Sequence, residues 1–295
     1  MYRVNLAVKL PLRTSLLVLL VALYAAAGPQ AQAPPLPNRP NSLKFAAIGD
    51  NGTGDTPQYE VGAQMAKLHA SFPFDLVIML GDNMYGGQSP SDYVKKFERP
   101  YAPLLAAGVK FQASIGNHDQ PAQVSYNLYN MNGQRYYSYA RNNVRFFALD
   151  SNRMDPKQVE WLEAGLKSAT EDWKICYFHH PLYSNAERHG AAVDLRVKIE
   201  PLFVKYGVNV VFSGHDHVYE RLKPQKGIYY FVSGSGGQLR KGNMGSSEQT
   251  AASYDRDQSF MAVEVAGNQM FFQTITRTGA TVDAGEINRQ TRTSE

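Results

Sequence analysis

The chain has 295 residues, 43% hydrophobic and 19% charged, a composition that excludes intrinsic disorder and allows one large core or two small ones. Its formal net charge of +4 is gathered at the start, where Arg3, Lys9 and Arg13 precede Ala27 with no acidic residue among them, so the remainder carries about +1. A balance that close to neutral offers no footprint for nucleic acid or an anionic membrane surface. The single cysteine, Cys176, excludes an intrachain disulfide. It lies in the apolar run WKICYF and reads as a small buried hydrophobe.

In chain order, the N-terminal basic residues lead into SLLVLLVALYAAA (15–27), an apolar run that ends in small residues. Basic, apolar and small-residue regions in that order predict a secretory signal peptide over 1–27. The run falls short of the ~20 apolar residues that a membrane-spanning helix needs, so no stable membrane anchor is expected. Export would place the protein in the periplasm or outside the cell. Residues 28–41, GPQAQAPPLPNRPN, read as an extended linker. From there to residue 295 no repeat or low-complexity break appears, and a single domain is expected over 42–295.

Five short runs within that domain share one design: FAAIGDNG, DLVIMLGDN, FQASIGNHD, KICYFHHP and VNVVFSGHDH. Each is apolar, rich in β-branched or aromatic residues, and stops at polar groups able to bind metal or move protons. Runs without polar alternation suit strands covered on both faces. Between them QYEVGAQMAKLHASF, DPKQVEWLEAGLKSA and AAVDLRVKIEPLFVKYG predict helices, the second with Asp155 as N-cap and Pro156 in its first turn. YYSYARNNVRFFALD predicts a hairpin around Asn142-Asn143. The C-terminal third is nearly all strand and turn, including a hairpin through Gly267-Asn268 in AVEVAGNQMFFQ. Strand–helix alternation followed by strands predicts an α/β fold of two stacked mixed sheets flanked by helices.

Ligands of open α/β sheets bind beyond the carboxyl ends of the strands, so these runs deliver their polar ends to one rim. Six of the seven histidines lie there: His118, His179, His180, His189, His215 and His217. His69, in the first helical pattern, reads as a surface or packing residue. Taken singly, GDNG and GNHD are ordinary glycine and Asx turns. Taken together, the donors are oxygen and nitrogen without thiolate, which suits Fe, Mn or Zn in a two-metal site more than a structural zinc. Asp82, in mid-rim, is the natural bridging carboxylate. A metal pair holds a hydroxide nucleophile and neutralises phosphoryl oxygens, as hydrolysis of a phosphate ester requires.

The ordered set Asp50, GDNMY, GNHD, HHP and GHDH resembles the calcineurin-like metallophosphoesterases from Phe45 to about Gly237. Within them it looks like the purple acid phosphatases, nearest the small tartrate-resistant type. Two departures from the wider superfamily point to this subgroup: Gly52 stands where most members have histidine, and Tyr85 where most have a second acid. The resemblance implies a four-layer α/β/β/α fold. It implies Asp50, Asp82, Tyr85 and His217 around ferric iron, and Asp82, Asn117, His179 and His215 around a second, divalent Fe, Zn or Mn. His179 is preferred to His180 because it stands two residues before Pro181. His118 and His189 are expected to bind phosphate or protonate the leaving group, although AERHG holds one residue more than the family pattern. The implied activity is that of an exported acid phosphatase hydrolysing phosphate monoesters by attack of a metal-bound hydroxide. A phenol with a pKa near 10 agrees, since a trivalent ion is the ligand partner best able to take its proton. A phosphodiesterase or nucleotidase on the same scaffold is the alternative, disfavoured by the missing histidine at Gly52. A non-catalytic metal- or phosphate-binding protein is disfavoured by the presence of every expected ligand. Neither the particular small phosphate ester nor the oligomeric state is encoded in a readable motif.

Overall fold

The computed structural model describes residues 1–2 and 35–289; all but the first two residues of the expected signal peptide, and the first half of the expected linker, lie outside the described residues. β1 (Leu43–Ile48), β2 (Leu76–Leu80) and β3 (Lys110–Ser114) run parallel, and β11 (Ser259–Ala266), β12 (Gln269–Thr276) and β13 (Thr281–Asn288) follow as an antiparallel meander. β11 pairs antiparallel with β1, giving a six-stranded sheet ordered β13-β12-β11-β1-β2-β3. The second sheet is built from β4 (Tyr137–Arg141), β5 (Val144–Ala148), β6 (Trp173–Tyr177), β7 (Val210–Ser213), β8 (Tyr219–Leu222), β9 (Tyr229–Ser233) and β10 (Thr250–Tyr254). Its order is β10-β8-β9-β7-β6-β5-β4, with β5, β6, β7 and β9 parallel.

The two sheets face each other through aromatic side chains. Phe45 of β1 meets Phe146 of β5 and Phe212 of β7 edge-on, at centroid distances of 5.4 and 6.0 Å, and Phe231 of β9 meets Phe272 of β12 at 5.0 Å. Neighbouring strand residues point to opposite faces, so Phe147 and Cys176 turn outward. There they pack against Leu162 and Leu166 of α4 (Pro156–Ser168) and Ile199 and Phe203 of α5 (Val193–Tyr206). α1 (Thr56–His69) adds Val61 and Met65 to the core that includes the six-stranded sheet. This is the expected arrangement of two mixed sheets flanked by helices. Asp155 caps α4 by accepting the Gln158 N–H at 3.0 Å, as its place in the sequence predicts. His69 packs edge-on against Phe74, and Cys176 is buried with its thiol pushed well up by desolvation.

The last residues of the expected linker are tied into the fold. The buried carboxylate of Glu264 in β11 accepts the N–H groups of Asn38 and Arg39 and the Ser42 hydroxyl, while Leu36 packs on the core. Between β2 and β3 lie short elements that no periodicity announced: α2 (Pro90–Tyr93), a π-helical turn Val94–Glu98 and α3 (Ala102–Ala106). They carry Lys96, whose buried ammonium donates to the carbonyls of Tyr85 and Gly87 at 2.8 and 2.6 Å and pairs with Asp92 at 2.9 Å. The loop after β2 is thereby braced from within the same connection.

Gly52 shows how close that approach is. A Cβ there would sit 1.8 Å from the Asn83 carbonyl oxygen and 2.5 Å from Met84 Cα, and the Gly52 carbonyl accepts the Tyr85 N–H at 2.9 Å. No side chain fits at position 52 unless the loop that presents Tyr85 retreats. Gly52→Ala should therefore cost about 1–3 kcal/mol through overpacking and lower the melting temperature by roughly 3–10 °C. Circular-dichroism melts of the two proteins measure this, and an unchanged midpoint would contradict the close approach.

Candidate metal centre

β1, β2 and β3 of one sheet and β6 and β7 of the other end at a common edge, where they place Asp50, Asp82, Asn117, His179 and His215. The turns that follow these strands are constrained. Asp50, Asp82 and His215 have φ of 54°, 48° and 71°, a left-handed backbone that costs a non-glycine residue about 1–3 kcal/mol where the surroundings enforce it. Gly116 is required in the same crowd, since a Cβ on it would lie 2.1 Å from Asp82 Oδ1. Backbone strain and bare glycine together bring the polar ends into contact.

The contacts fall into two overlapping groups. In the first, the Tyr85 hydroxyl donates to Asp50 Oδ1 at 2.8 Å and lies 3.1 Å from His217 Nε2, while His217 Nε2 is 3.3 Å from the same Asp50 oxygen. In the second, His179 Nε2 lies 2.9 Å from Asn117 Oδ1, 3.1 Å from His215 Nδ1 and 3.4 Å from Asp82 Oδ1. The Asp82 carboxylate interacts with Tyr85 and His217 as well as His179, so it stands between the groups. The His215 N–H donates to Asp50 Oδ2 at 2.8 Å and links them again. All seven residues expected around metal are thus brought together.

Burial in the cluster disfavours the charged form of each group. Burial first, and then repulsion from Asp82, hold the Asp50 carboxyl well above its ordinary range; burial also raises Asp82. The Tyr85 phenol is pushed up by burial and by both carboxylates. The imidazoles move the other way: desolvation leads in lowering His179, in bringing His215 down to about 2 and in bringing His217 to about 4. The site therefore resists both forms in which protein groups could neutralise one another, the carboxylate anion and the imidazolium cation. A multivalent metal cation fits both demands, because it favours ionised oxygens and binds the lone pairs of neutral imidazoles. Asp50, Asp82 and His179 offer donor atoms within 4.8 Å of one another, and so do His179, His180 and His215.

Further groups orient this cluster. His179 Nδ1 lies 3.0 Å from the Leu80 carbonyl oxygen, which makes it the donor and leaves Nε2 as a lone pair facing the other ligating groups. Asp119 accepts the N–H groups of Gly116, Asn83 and Met84 at 2.8, 3.0 and 3.0 Å, and side-chain N–H groups of Asn83 and Gln123. One carboxylate thereby binds the loop after β2 to the loop after β3, and burial raises it to about 7. Asp119 was visible as the last letter of GNHD, but nothing in four letters reveals five converging donors. Lys96 left no signal of its own.

The remaining histidines divide by exposure. His118 is half exposed; its N–H donates to Asp82 Oδ1 at 2.9 Å and its ring packs at 4.8 Å from that of Tyr85. His189 is exposed, with its ring centroid 4.2 Å from that of His215, and accepts an Arg240 N–H at 2.8 Å. His180 also joins the cluster, 4.4 Å from the His215 ring, while its Nδ1 and backbone N–H are both engaged with Ser151 Oγ. Arg240 comes from a stretch in which only loop character was readable.

Comparison with known proteins agrees with this geometry. The family profile described as calcineurin-like phosphoesterase matches residues 43–219. Tartrate-resistant acid phosphatase type 5 of Oryctolagus cuniculus is 30% identical over 238 residues, covering 66% of this chain and 73% of that protein. The Homo sapiens protein of the same name is 26% identical over 301 residues, covering 85% and 92%. Among solved structures, a purple acid phosphatase from yellow lupin (Lupinus luteus) seeds superimposes with a TM-score of 0.70 at 20% identity, covering 86% of this chain and 55% of that one. With its two mixed sheets, its oxygen–nitrogen cluster at the strand ends and a family match across 43–219, the chain belongs to the calcineurin-like phosphoesterases.

Proposed function

We propose that the chain is an exported acid phosphatase that hydrolyses phosphate monoesters at a pair of metals, ferric iron and a divalent Fe, Zn or Mn. The carrying observation is the meeting of the Tyr85 phenol with Asp50 and His217 on one side of Asp82, and of Asn117, His179 and His215 on the other. Asp50, Tyr85 and His217 would hold the ferric ion and Asn117, His179 and His215 the divalent one, with Asp82 shared. When bound, the pair supplies positive charge to the phosphoryl oxygens and a water acidic enough to ionise below neutrality. A buried phenol beside two carboxylates loses its proton only to a strong Lewis acid, which supports a trivalent ion at that position.

The chain's own groups do the rest. His118, half exposed and anchored by its N–H to Asp82, stands at the mouth of the cluster and can pass a proton to the departing alkoxide. His189 already accepts a hydrogen bond from Arg240, which orients its ring over His215 and suits it to holding substrate. The N–H of His215 and the Tyr85 hydroxyl keep Asp50 turned inward. Among the described residues no helix is long and apolar enough to cross a membrane. Export itself rests on the order of basic, apolar and small residues before Gly28.

Iron loading followed by visible spectroscopy and metal analysis tests the centre. Wild-type protein should be coloured and hold two metals per chain, and Tyr85→Phe should lose the visible band while keeping its far-ultraviolet circular dichroism; a variant that stays coloured would falsify the role given to the tyrosine. Asp82→Asn should cut kcat/KM for 4-nitrophenyl phosphate by about a thousandfold, about 4 kcal/mol, and lower the metal content. Full activity in that variant, or in wild type stripped by a chelator, would rule out the shared carboxylate. Turnover of bis(4-nitrophenyl) phosphate above that of the monoester would assign the phosphodiesterase activity instead.

A further inference from the structure

We propose that Arg240 forms a cationic arm that binds an acidic group on the alcohol part of the substrate, so that phosphate monoesters with a carboxylate-bearing leaving group are favoured over those with a neutral one. This rests on the phosphomonoesterase reading above and adds a specificity to it.

The arm belongs to an ordered ribbon made of two loops, residues 178–192 between β6 and α5 and residues 234–249 between β9 and β10. The Glu187 N–H donates to the Asn243 carbonyl at 2.8 Å, the Gly245 N–H donates to the Asn185 carbonyl at 2.9 Å, and Ala186 and Met244 pair as an antiparallel bridge. Beneath it Ala186 and Met244 pack on Val218 and Val232. At its base the buried Glu220 accepts from the Asn185 backbone and side chain at 2.9 and 2.8 Å and from the Thr250 hydroxyl at 2.6 Å, clamping both loops to β8.

From this ribbon Arg240 reaches the metal-binding cluster. Its backbone N–H donates to the His217 carbonyl at 2.9 Å and its Nη1 to His189 Nε2 at 2.8 Å, and the His189 ring lies 4.2 Å from that of His215. The guanidinium therefore stands one imidazole away from the cluster, at the solvent side. No carboxylate among the described residues forms an ion pair with Arg240, Arg188 or Lys241. Of the ribbon's two acids, Glu187 and Glu248, Glu187 leans toward Gly245, where an added Cβ would be 3.7 Å from Glu187 Cγ. A guanidinium with N–H groups to spare presents a planar fork that matches a carboxylate.

The test is a matched pair of substrates, 3-phosphoglycerate and glycerol 3-phosphate, which differ by a carboxylate in place of a hydroxymethyl group. Phosphate release by the metal-loaded wild type, Arg240→Ala and Arg240→Lys is followed at constant ionic strength. Wild type should favour 3-phosphoglycerate in kcat/KM, Arg240→Ala should shrink that preference about five- to tenfold, mainly through KM, and Arg240→Lys should retain part of it. A preference unchanged in Arg240→Ala overturns the arm. So does an equal loss on both substrates, which would mean that Arg240 acts only by supporting His189. If wild type hydrolyses neither of these nor 4-nitrophenyl phosphate, the phosphomonoesterase reading itself fails and takes the arm with it.

Discussion

The structure depends on keeping ionisable groups together where burial penalises the charged form of each. Asp50 and Asp82 are buried side by side, the Tyr85 phenol lies against them, and three neutral imidazoles complete the ring. Protein groups alone cannot relieve this crowd, because desolvation opposes the anions and the imidazolium cations alike. Cohesion therefore comes from outside the cluster, from a rigid double sheet whose strand ends cannot spread apart. Aromatic contacts between the sheets, such as Phe45 with Phe146 and Phe212, stiffen that frame.

Between frame and cluster lies a layer of hydrogen bonds whose members have no chemistry of their own. Asp119 gathers the loops after β2 and β3, Lys96 pins the carbonyls around Tyr85, and the Leu80 carbonyl fixes the tautomer of His179. Beside these contacts Asp50, Asp82 and His215 adopt left-handed backbone, which costs a non-glycine residue about 1–3 kcal/mol where the surroundings enforce it. The same closeness accounts for glycine at position 52. A tyrosine at 85 requires the loop behind it to pass through the volume that a side chain at 52 would fill.

The rim is unequal on its two sides. Around Asp50, Tyr85 and His217 the groups are buried or partly buried and enclosed by hydrogen bonds, whereas Asn117, His118 and His189 are exposed. Substrate can approach only from the exposed side, and there the chain places imidazoles and, past His189, a guanidinium carried by the joined loops. An enclosed metal-binding face and an open, positively charged face on one cluster suit a small anionic ester.

Much of this was legible in one dimension. Apolar runs without alternation mark strands that must be covered on both faces, and their polar endings mark a shared rim, because both signals follow from local burial and from the period of a strand. Asp155-Pro156, Asn142-Asn143 and Gly267-Asn268 likewise declare a helix start and two hairpins, since cap and turn chemistry is local. The donor types at the strand ends point to metal binding, and the phenol of Tyr85 stands among them. Other features needed the folded chain: that β11 returns to pair with β1, that Asp119 meets five donors, that Lys96 closes the loop around Tyr85, and that Arg240 reaches His189 from 51 residues away. None of these has a periodic or local signature, since each depends on where distant segments come to rest. Residue types and strand ends are properties of neighbours in the chain, whereas distances among donors are properties of the packed sheets.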